Sequence, residues 1–236
     1  MKKQKIVAVL LAAGEGKRFG SDIPKQFVTV NGKSMVLYAM DTFNAHPMID
    51  EILVVCHAGY LSFMDEIRQS GKYEKFKHLI KGGKERYLST LCALQYLVSQ
   101  KDTKKTGTTY LLLHDAARPR VSESLIREIV EASRDSAIVV PVVPATDTIY
   151  KVNAKGILVE IPNRDTLFHA QTPQLFKAEI LQAAFDKALL DPLFSPTDDA
   201  SMVFHYLPQE QIQLVQGDPA NSKITQPEDL SPLFST

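Results

Sequence analysis

The stretch that most constrains this chain is residues 6–26, IVAVLLAAGEGKRFGSDIPKQ. Its first part, residues 6–12, is apolar without alternation, which suits a strand covered on both faces, as in a parallel sheet flanked by helices. A strand of that kind belongs near the centre of a sheet. It runs straight into Ala13, Gly14 and Gly16, small residues that let a ligand approach the backbone and offer it N–H groups. Lys17, Arg18 and Lys25 add positive charge beside them. A strand end, small residues and cations in that order form a place where a phosphorylated nucleotide could sit.

The loop alone leaves several readings open. A dinucleotide turn needs G-x-G-x-x-G, but Gly20 arrives one place late and Pro24 closes the segment where a helix should continue. An ATP P-loop needs Gly-Lys-Ser/Thr, and none follows at the right spacing. A nucleotidyltransferase loop remains, and so does a glycine-rich surface turn with solvated cations.

The rest of the chain alternates between strand and helix patterns. Residues 34–44 carry a helical apolar face, residues 51–57 (EILVVCH) read as a strand, and residues 60–69 read as a helix. Leu79 and Ile80 mark a short strand, followed by a helix over residues 86–98 with Leu88, Leu91, Leu94, Leu97 and Val98 on one stripe. Residues 100–108 are a polar connection. Residues 110–114 (YLLLH) are a buried strand, and Ser122 caps a helix over residues 123–133. Residues 137–143 are a further strand. Such alternation predicts a doubly wound, mostly parallel α/β sheet with right-handed crossovers, whose ligands gather beyond the carboxyl ends of the strands.

The pattern changes at residues 146–161, which alternate loosely around the turn signal Asn153-Ala154-Lys155-Gly156. This reads as a hairpin arm, packing either on another subunit or back on its own domain, because a lone hairpin is marginally stable. A helix over residues 179–190, one capped by Thr197 and running to Tyr206, and a strand over residues 211–216 follow.

Composition narrows the function. Lys plus Arg and Asp plus Glu number 27 each, so no global basic field points to nucleic acid or a membrane surface, and phosphate binding must be local. The start of the chain has the charged opening of a secretory signal, but its apolar part is short and runs into the glycine loop. Nowhere does an apolar run approach the roughly 20 residues a membrane helix needs, and the expected location is cytoplasmic. Cys56 and Cys92 lie in apolar patterns that suit buried thiols in a reduced compartment. The six dispersed histidines form no zinc-ligand pair.

Four further clusters carry chemistry. His114-Asp115-Ala116-Ala117-Arg118-Pro119 follows a buried strand, so Asp115 could orient a hydroxyl or a hydrated Mg²⁺ and Arg118 could grip a phosphate. A buried Asp115–Arg118 pair that merely fixes the loop is the plainer alternative. Gly82-Gly83-Lys84-Glu85-Arg86 leads a helix containing Ser89. Gln171-Thr172-Pro173-Gln174 has the composition of a turn, and residues 221–225 (NSKIT) place Lys223 in a strand-like stretch.

The ordered set AAGEGKRFG, PKQF, GGKER, HDAARP, Asp147-Thr148, NRDTLFHAQTPQLF, TDDAS and NSKIT closely resembles the methylerythritol-phosphate cytidylyltransferase family and its relative, the ribitol-5-phosphate cytidylyltransferases. The resemblance covers nearly the whole chain. It implies a Rossmann-like, GT-A-like nucleotidyltransferase, residues 1–236 forming one domain with residues 146–170 as a protruding dimerisation arm. It also implies transfer of CMP from CTP to a polyol phosphate, with Mg²⁺ mainly on the CTP phosphates or near Asp115.

By the same resemblance, Arg18, Lys25 and Lys223 are the catalytic cations. Leu11, Ala12, Ala13, Gly14 and Gly16 contact CTP, Gly83 and Ser89 read cytosine, and Ala116 approaches the ribose. Asp115, Arg118, Thr148, Arg164 and Thr172 bind the acceptor, with Thr148 and Arg164 reaching the partner's site in a homodimer. Residues 161–164 (IPNR) resemble the ribitol branch, whereas HDAARP and TDDAS resemble the methylerythritol branch. A non-catalytic nucleotide-binding regulator on the same fold is the reading from a different class.

Overall fold

Residues 4–16, 19–20, 23–100 and 108–230 are described by the computed structural model of the chain. The elements begin with β1 (Gln4–Ala12), β2 (Thr29–Val30), β3 (Lys33–Ser34), α1 (Met35–Ala45), β4 (Glu51–Cys56), α2 (Leu61–Gln69), β5 (Phe76–Lys81), α3 (Arg86–Ser99) and β6 (Thr108–Asp115). They continue with α4 (Glu123–Ala132), β7 (Ile138–Pro144), β8 (Lys151–Val152), β9 (Leu158–Glu160), β10 (Phe168–Ala170), β11 (Gln174–Lys177), α5 (Ala178–Ala188), α6 (Asp199–Tyr206) and β12 (Gln213–Gln216). The polar connection expected over residues 100–108 lies outside the described residues except at its ends, where Gln100 caps α3 and Thr108 opens β6.

The main sheet runs β10-β7-β11-β6-β1-β4-β5, with β12 joined to β7. β1 pairs in parallel with β4 and β6, and β4 with β5, which is the mostly parallel core the apolar runs predict. On β1, Ile6, Ala8, Leu10 and Ala12 pack into one core cluster with α1, α2 and α4, while Val7 and Val9 pack into the other with α3, α5 and α6. Both faces are dry, so alternation is absent. Each large apolar side chain buried there contributes on the order of 2 kcal/mol.

Several elements differ from the sequence reading. β11 is antiparallel to both β6 and β7, an insertion that its short QLFK sequence does not announce. β2 and β3 form a small hairpin about Asn31 and Gly32, both with positive φ, and the Asn-Gly pair was the available signal. On α3 the buried residues are Ser89, Thr90, Ala93 and Leu94, while Val98 is exposed. The leucine stripe misjudged the helix rotation because two buried positions are small and polar. The cap of α6 is Asp198, not Thr197. Asp198 accepts from Ser201 N at 2.8 Å and Ser201 Oγ accepts from Asp198 N at 3.1 Å, a capping box in which a carboxylate meets the positive helix end. Residues 221–225 are not a strand, since Ile224 N makes a single backbone bond to Ala117 O at 2.8 Å and no ladder. Ser122 does cap α4, accepting from Leu125 N at 3.3 Å.

β8 and β9 pair only with each other, as the turn signal predicts. Asn153 Oδ1 accepts from Lys155 N and Ile157 N, and Gly156 takes φ +75°. No helix among the described residues is long and apolar enough to cross a membrane.

Candidate active site

β1, β4, β5 and β6 end on one side of the sheet, and there a cavity of about 260 Å³ opens. Its lining combines Leu11 near the end of β1 with Ala13, Gly14 and Gly16 beyond it, Gly83 and Ser89 around the start of α3, Asp115 at the end of β6 with Ala117 beyond it, and Lys25 and Lys223. Gln26 fastens the first loop by donating from Nε2 to Ala12 O at 2.9 Å and to Gly14 O at 2.8 Å. Gly16 sits at φ +68°, with Lys25 N 3.1 Å from where a Cβ would stand. Gly82 is required by close approach: a Cβ there would lie 2.2 Å from Ala13 Cβ and 2.9 Å from Ser89 Oγ. The loops after β1 and β5 therefore touch only because Gly82 has no side chain.

The floor of the cavity is a cluster of ion pairs. Asp115, 8% exposed, accepts from Arg86 Nε at 2.9 Å through one oxygen and from Lys223 Nζ at 2.6 Å through the other. Burial opposes ionisation, yet Arg86 and then Lys223 hold the Asp115 carboxyl well below the usual carboxylate range. Arg86 Nη1 donates in turn to Asp199 Oδ2 at 2.6 Å. The Asp115–Arg118 ion pair considered from the sequence is not formed. Arg118 instead gives Nη1–H to Asn221 O at 2.8 Å, because Arg86 from α3 has taken the carboxylate. Lys25 Nζ donates to Ile224 O at 2.7 Å, so the two lysines are tied to one segment near the end of the chain.

Behind Asp115 a buried polar relay sets the loop. His114 Nε2 lies 2.9 Å from Arg118 O, which can only accept, so that nitrogen carries the proton. Nδ1 then accepts from the Thr172 hydroxyl at 3.2 Å, and Thr172 Oγ1 accepts from Asp115 N at 3.1 Å. Burial pushes the His114 pKa down to about 4, which keeps the ring neutral as this arrangement requires. Asn221 Nδ2 donates to Thr172 O at 2.7 Å, joining the residue 221–225 segment to the same relay.

The structure thus brings Leu11, Ala13, Gly14, Gly16, Lys25, Gly83, Ser89, Asp115 and Lys223 to one cavity. Ala12, Ala116 and Thr172 are buried in its wall and are not among the lining residues, and Ala117 lines it beside Asp115. The Thr172 hydroxyl is engaged on both sides by His114 and Asp115 N. Thr148 and Arg164 are exposed in the arm region, away from this cavity, and Arg164 donates to Thr146 O at 3.0 Å. Arg18 lies outside the described residues. Sequence reasoning did not single out Gln26, Asp199 or the part Arg86 plays. Gln26 and Arg86 stand inside quoted motifs, but which carboxylate a cation meets is a tertiary fact.

The described residues do not make a metal site of their own. Both Asp115 oxygens are paired with cations, and among the described residues no group of three His, Cys, Asp or Glu side chains could hold an ion.

A mostly parallel α/β sheet with a glycine-walled cavity and converging cations at its carboxyl edge has the architecture of a nucleotidyltransferase. Comparison with known proteins makes this specific. The model of the IspD family, 2-C-methyl-D-erythritol 4-phosphate cytidylyltransferase, matches residues 6–232, and the chain belongs to that family. The chain is 34% identical over 234 residues to the 2-C-methyl-D-erythritol 4-phosphate cytidylyltransferase of Thermobifida fusca, covering 98% of this chain and 92% of that protein. It is also 34% identical to the bifunctional ribulose 5-phosphate reductase/CDP-ribitol pyrophosphorylase Bcs1 of Haemophilus influenzae, covering 98% of this chain and 48% of that one. Among solved structures, 4-diphosphocytidyl-2C-methyl-D-erythritol synthase from Anaerococcus prevotii superposes with a TM-score of 0.82 at 28% identity, covering 98% of this chain and 97% of that one. The family is one of CTP-dependent cytidylyltransferases.

Proposed function

We propose that this chain transfers CMP from CTP to 2-C-methyl-D-erythritol 4-phosphate. A phosphate oxygen of the acceptor attacks the α-phosphorus of CTP, the bond to the bridging oxygen of the β-phosphate breaks, and pyrophosphate leaves with that electron pair. The attacking oxygen is already ionised at neutral pH, so no general base is needed. Catalysis then comes from in-line positioning and from neutralising charge on the α-phosphate and the leaving group.

The observation that carries this reading is the meeting of Lys25 and Lys223, from opposite ends of the chain, in one glycine-walled cavity. Lys25, with Arg18, stabilises the reacting phosphate, and Lys223 steadies the acceptor phosphate against it. Ala13, Gly14 and Gly16 face the triphosphate, supported from behind by Leu11 and Ala12. Gly83 and Ser89 contact the base, and Ala116 stands beside the ribose. Mg²⁺ would be held mainly by the CTP phosphates, near Asp115, and would supply neutralisation of their charge. Asp115, Arg118 and Thr172 set the acceptor end of the cavity.

The acceptor subsite is completed by a second protomer. Large apolar residues of the arm, including Tyr150, Ile157 and Ile161, are exposed in the single chain, which supports a homodimer in which Thr148 and Arg164 reach the partner's cavity. Residues 1–236 act as one domain with residues 146–170 as that arm. A cytoplasmic setting agrees with Cys56, a free and buried cysteine whose thiol burial pushes up to about 12.

A ribitol 5-phosphate acceptor is the second reading, favoured by residues 161–164 and by the Bcs1 relationship. Pyrophosphate release from CTP and Mg²⁺, with the two polyol phosphates supplied in parallel, decides between them. Faster turnover with methylerythritol 4-phosphate is expected. CTP binding without turnover on either acceptor would leave a nucleotide-binding protein and not an enzyme.

A further inference from the structure

A line of alternating charges runs beneath the cavity, and its far end takes no part in the reaction as written. Asp199 opens α6 and is 1% exposed. It is not needed as the helix cap, because Asp198 already fills that position. Asp199 Oδ2 instead accepts from Arg86 Nη1 at 2.6 Å, and the same guanidinium gives Nε–H to Asp115 Oδ1 at 2.9 Å. Asp115 Oδ2 holds Lys223 Nζ at 2.6 Å. The order is Asp199, Arg86, Asp115, Lys223, from the buried helix start to the cavity.

Lys223 Nζ carries three donors, and turning them toward a phosphate loosens its hold on Asp115. If it left with nothing else in place, it would strand a carboxylate whose side chain is only 11% exposed, and an unpaired buried charge is strongly unfavourable. Arg86 removes that obstacle as long as it stays on the other oxygen. Arginine can satisfy two carboxylates at once because its donors lie along a rigid planar fork, whereas lysine presents a point charge. A guanidinium is permanently protonated, so Asp199 faces a fixed cation: burial raises the Asp199 pKa while Arg86 pulls against that rise, and, burial notwithstanding, Asp199 and Asp115 hold the Arg86 pKa above its ordinary value.

We propose that Asp199 is a positioning residue that acts through Arg86: it pins the guanidinium beneath Asp115 and so keeps that carboxylate paired when Lys223 moves to a substrate phosphate. The proposal rests on the cytidylyltransferase reading for the identity of that phosphate. It makes Asp115 a resting place for Lys223, with Asp199 and Arg86 making the departure permissible.

Asp199→Asn keeps the shape and removes the charge. The expected result is a fall in kcat of about tenfold to a hundredfold, with KM for CTP and for the acceptor within about threefold, since the pairing matters only once Lys223 has moved. Arg86→Lys should lose at least as much, and Asp199→Asn combined with Arg86→Lys should lose no more than Arg86→Lys alone, because the two side chains act as one unit. A second readout does not depend on turnover. In ¹⁵N NMR the Arg86 Nε–H should exchange slowly in the wild-type protein, with and without added CTP, and should lose that protection in Asp199→Asn. Wild-type kcat in Asp199→Asn, multiplicative losses in the double variant, or an unchanged Nε–H signal would each overturn the proposal. If the wild-type protein turns over neither acceptor, the functional reading fails, and the Nε–H exchange still decides whether Asp199 holds Arg86.

Discussion

The cavity floor and the arm are built on opposite principles. At the floor, hydrogen bonds within the protomer link Asp199 to Arg86 and Arg86 to Asp115, and Asp115, His114 and Asn221 to Thr172, joining separate parts of the chain. In the arm, Tyr150, Val152, Ile157, Val159, Ile161 and Phe168 are all at least half exposed, and β8 pairs only with β9. A two-stranded hairpin with an uncovered apolar face is marginal by itself. The floor makes its bonds within the protomer, whereas the arm forms its hairpin and leaves the apolar residues uncovered in the single chain. That difference makes the two regions separable by experiment.

The largest expected effect lies at the floor. Lys25→Ala and Lys223→Ala should each lower kcat by about a hundredfold to a thousandfold, as loss of preorganised charge at a reacting phosphate does. Steady-state pyrophosphate release measures it, and near-normal kcat in both variants would remove the lysines from the chemistry.

Next comes the pH dependence of folding. His114 has a folded pKa of about 4 against an ordinary 6.5, so the unfolded chain binds its proton first as pH falls. The stability this neutral ring contributes is therefore fully present above pH 6.5 and is lost between 6.5 and about 4, a loss on the order of 3 kcal/mol. Urea unfolding at pH 7 and pH 4.5 should show the decline, and His114→Gln should flatten it. An equal slope in both proteins would mean that other groups govern the acid limb.

A smaller effect is expected in the arm. Arg164→Ala should raise KM for the acceptor about tenfold, worth roughly 1.4 kcal/mol, while KM for CTP stays within about twofold. A monomer at assay concentration, or equal changes in both constants, would remove the arm from the acceptor site. The smallest effect belongs to the surface pair Lys151–Glu160, at 2.9 Å and well exposed on both sides. Lys151→Ala should change stability by less than about 0.5 kcal/mol, because solvent screens such pairs. A larger change would show the hairpin to be covered.

Much of this was legible in the residues themselves. The unbroken run of β1 predicted a strand buried on both faces, and both faces are buried. Ser122 announced the start of α4, and Asn153 with Gly156 announced the turn between β8 and β9. These are local matters, decided by propensity, capping and turn geometry within a few residues. Residues 221–225 were misread as a strand because Ile224 is fully buried, and burial there comes from contact with Phe19 and Met35, not from a ladder. β11 was missed because its hydrogen-bond partners lie on β6 and β7, remote in sequence.

The sequence by itself determined the fold class, the family and the place of the cavity, because strand periodicity and ordered motifs are written along the chain. Only the tertiary structure decided that Asp115 answers to Arg86 and not to Arg118, that the Thr172 hydroxyl is held by His114, and that Asp199 stands behind the floor. The physical reason is that a charge chooses its partner by distance and desolvation, and those are fixed only when separate segments pack together.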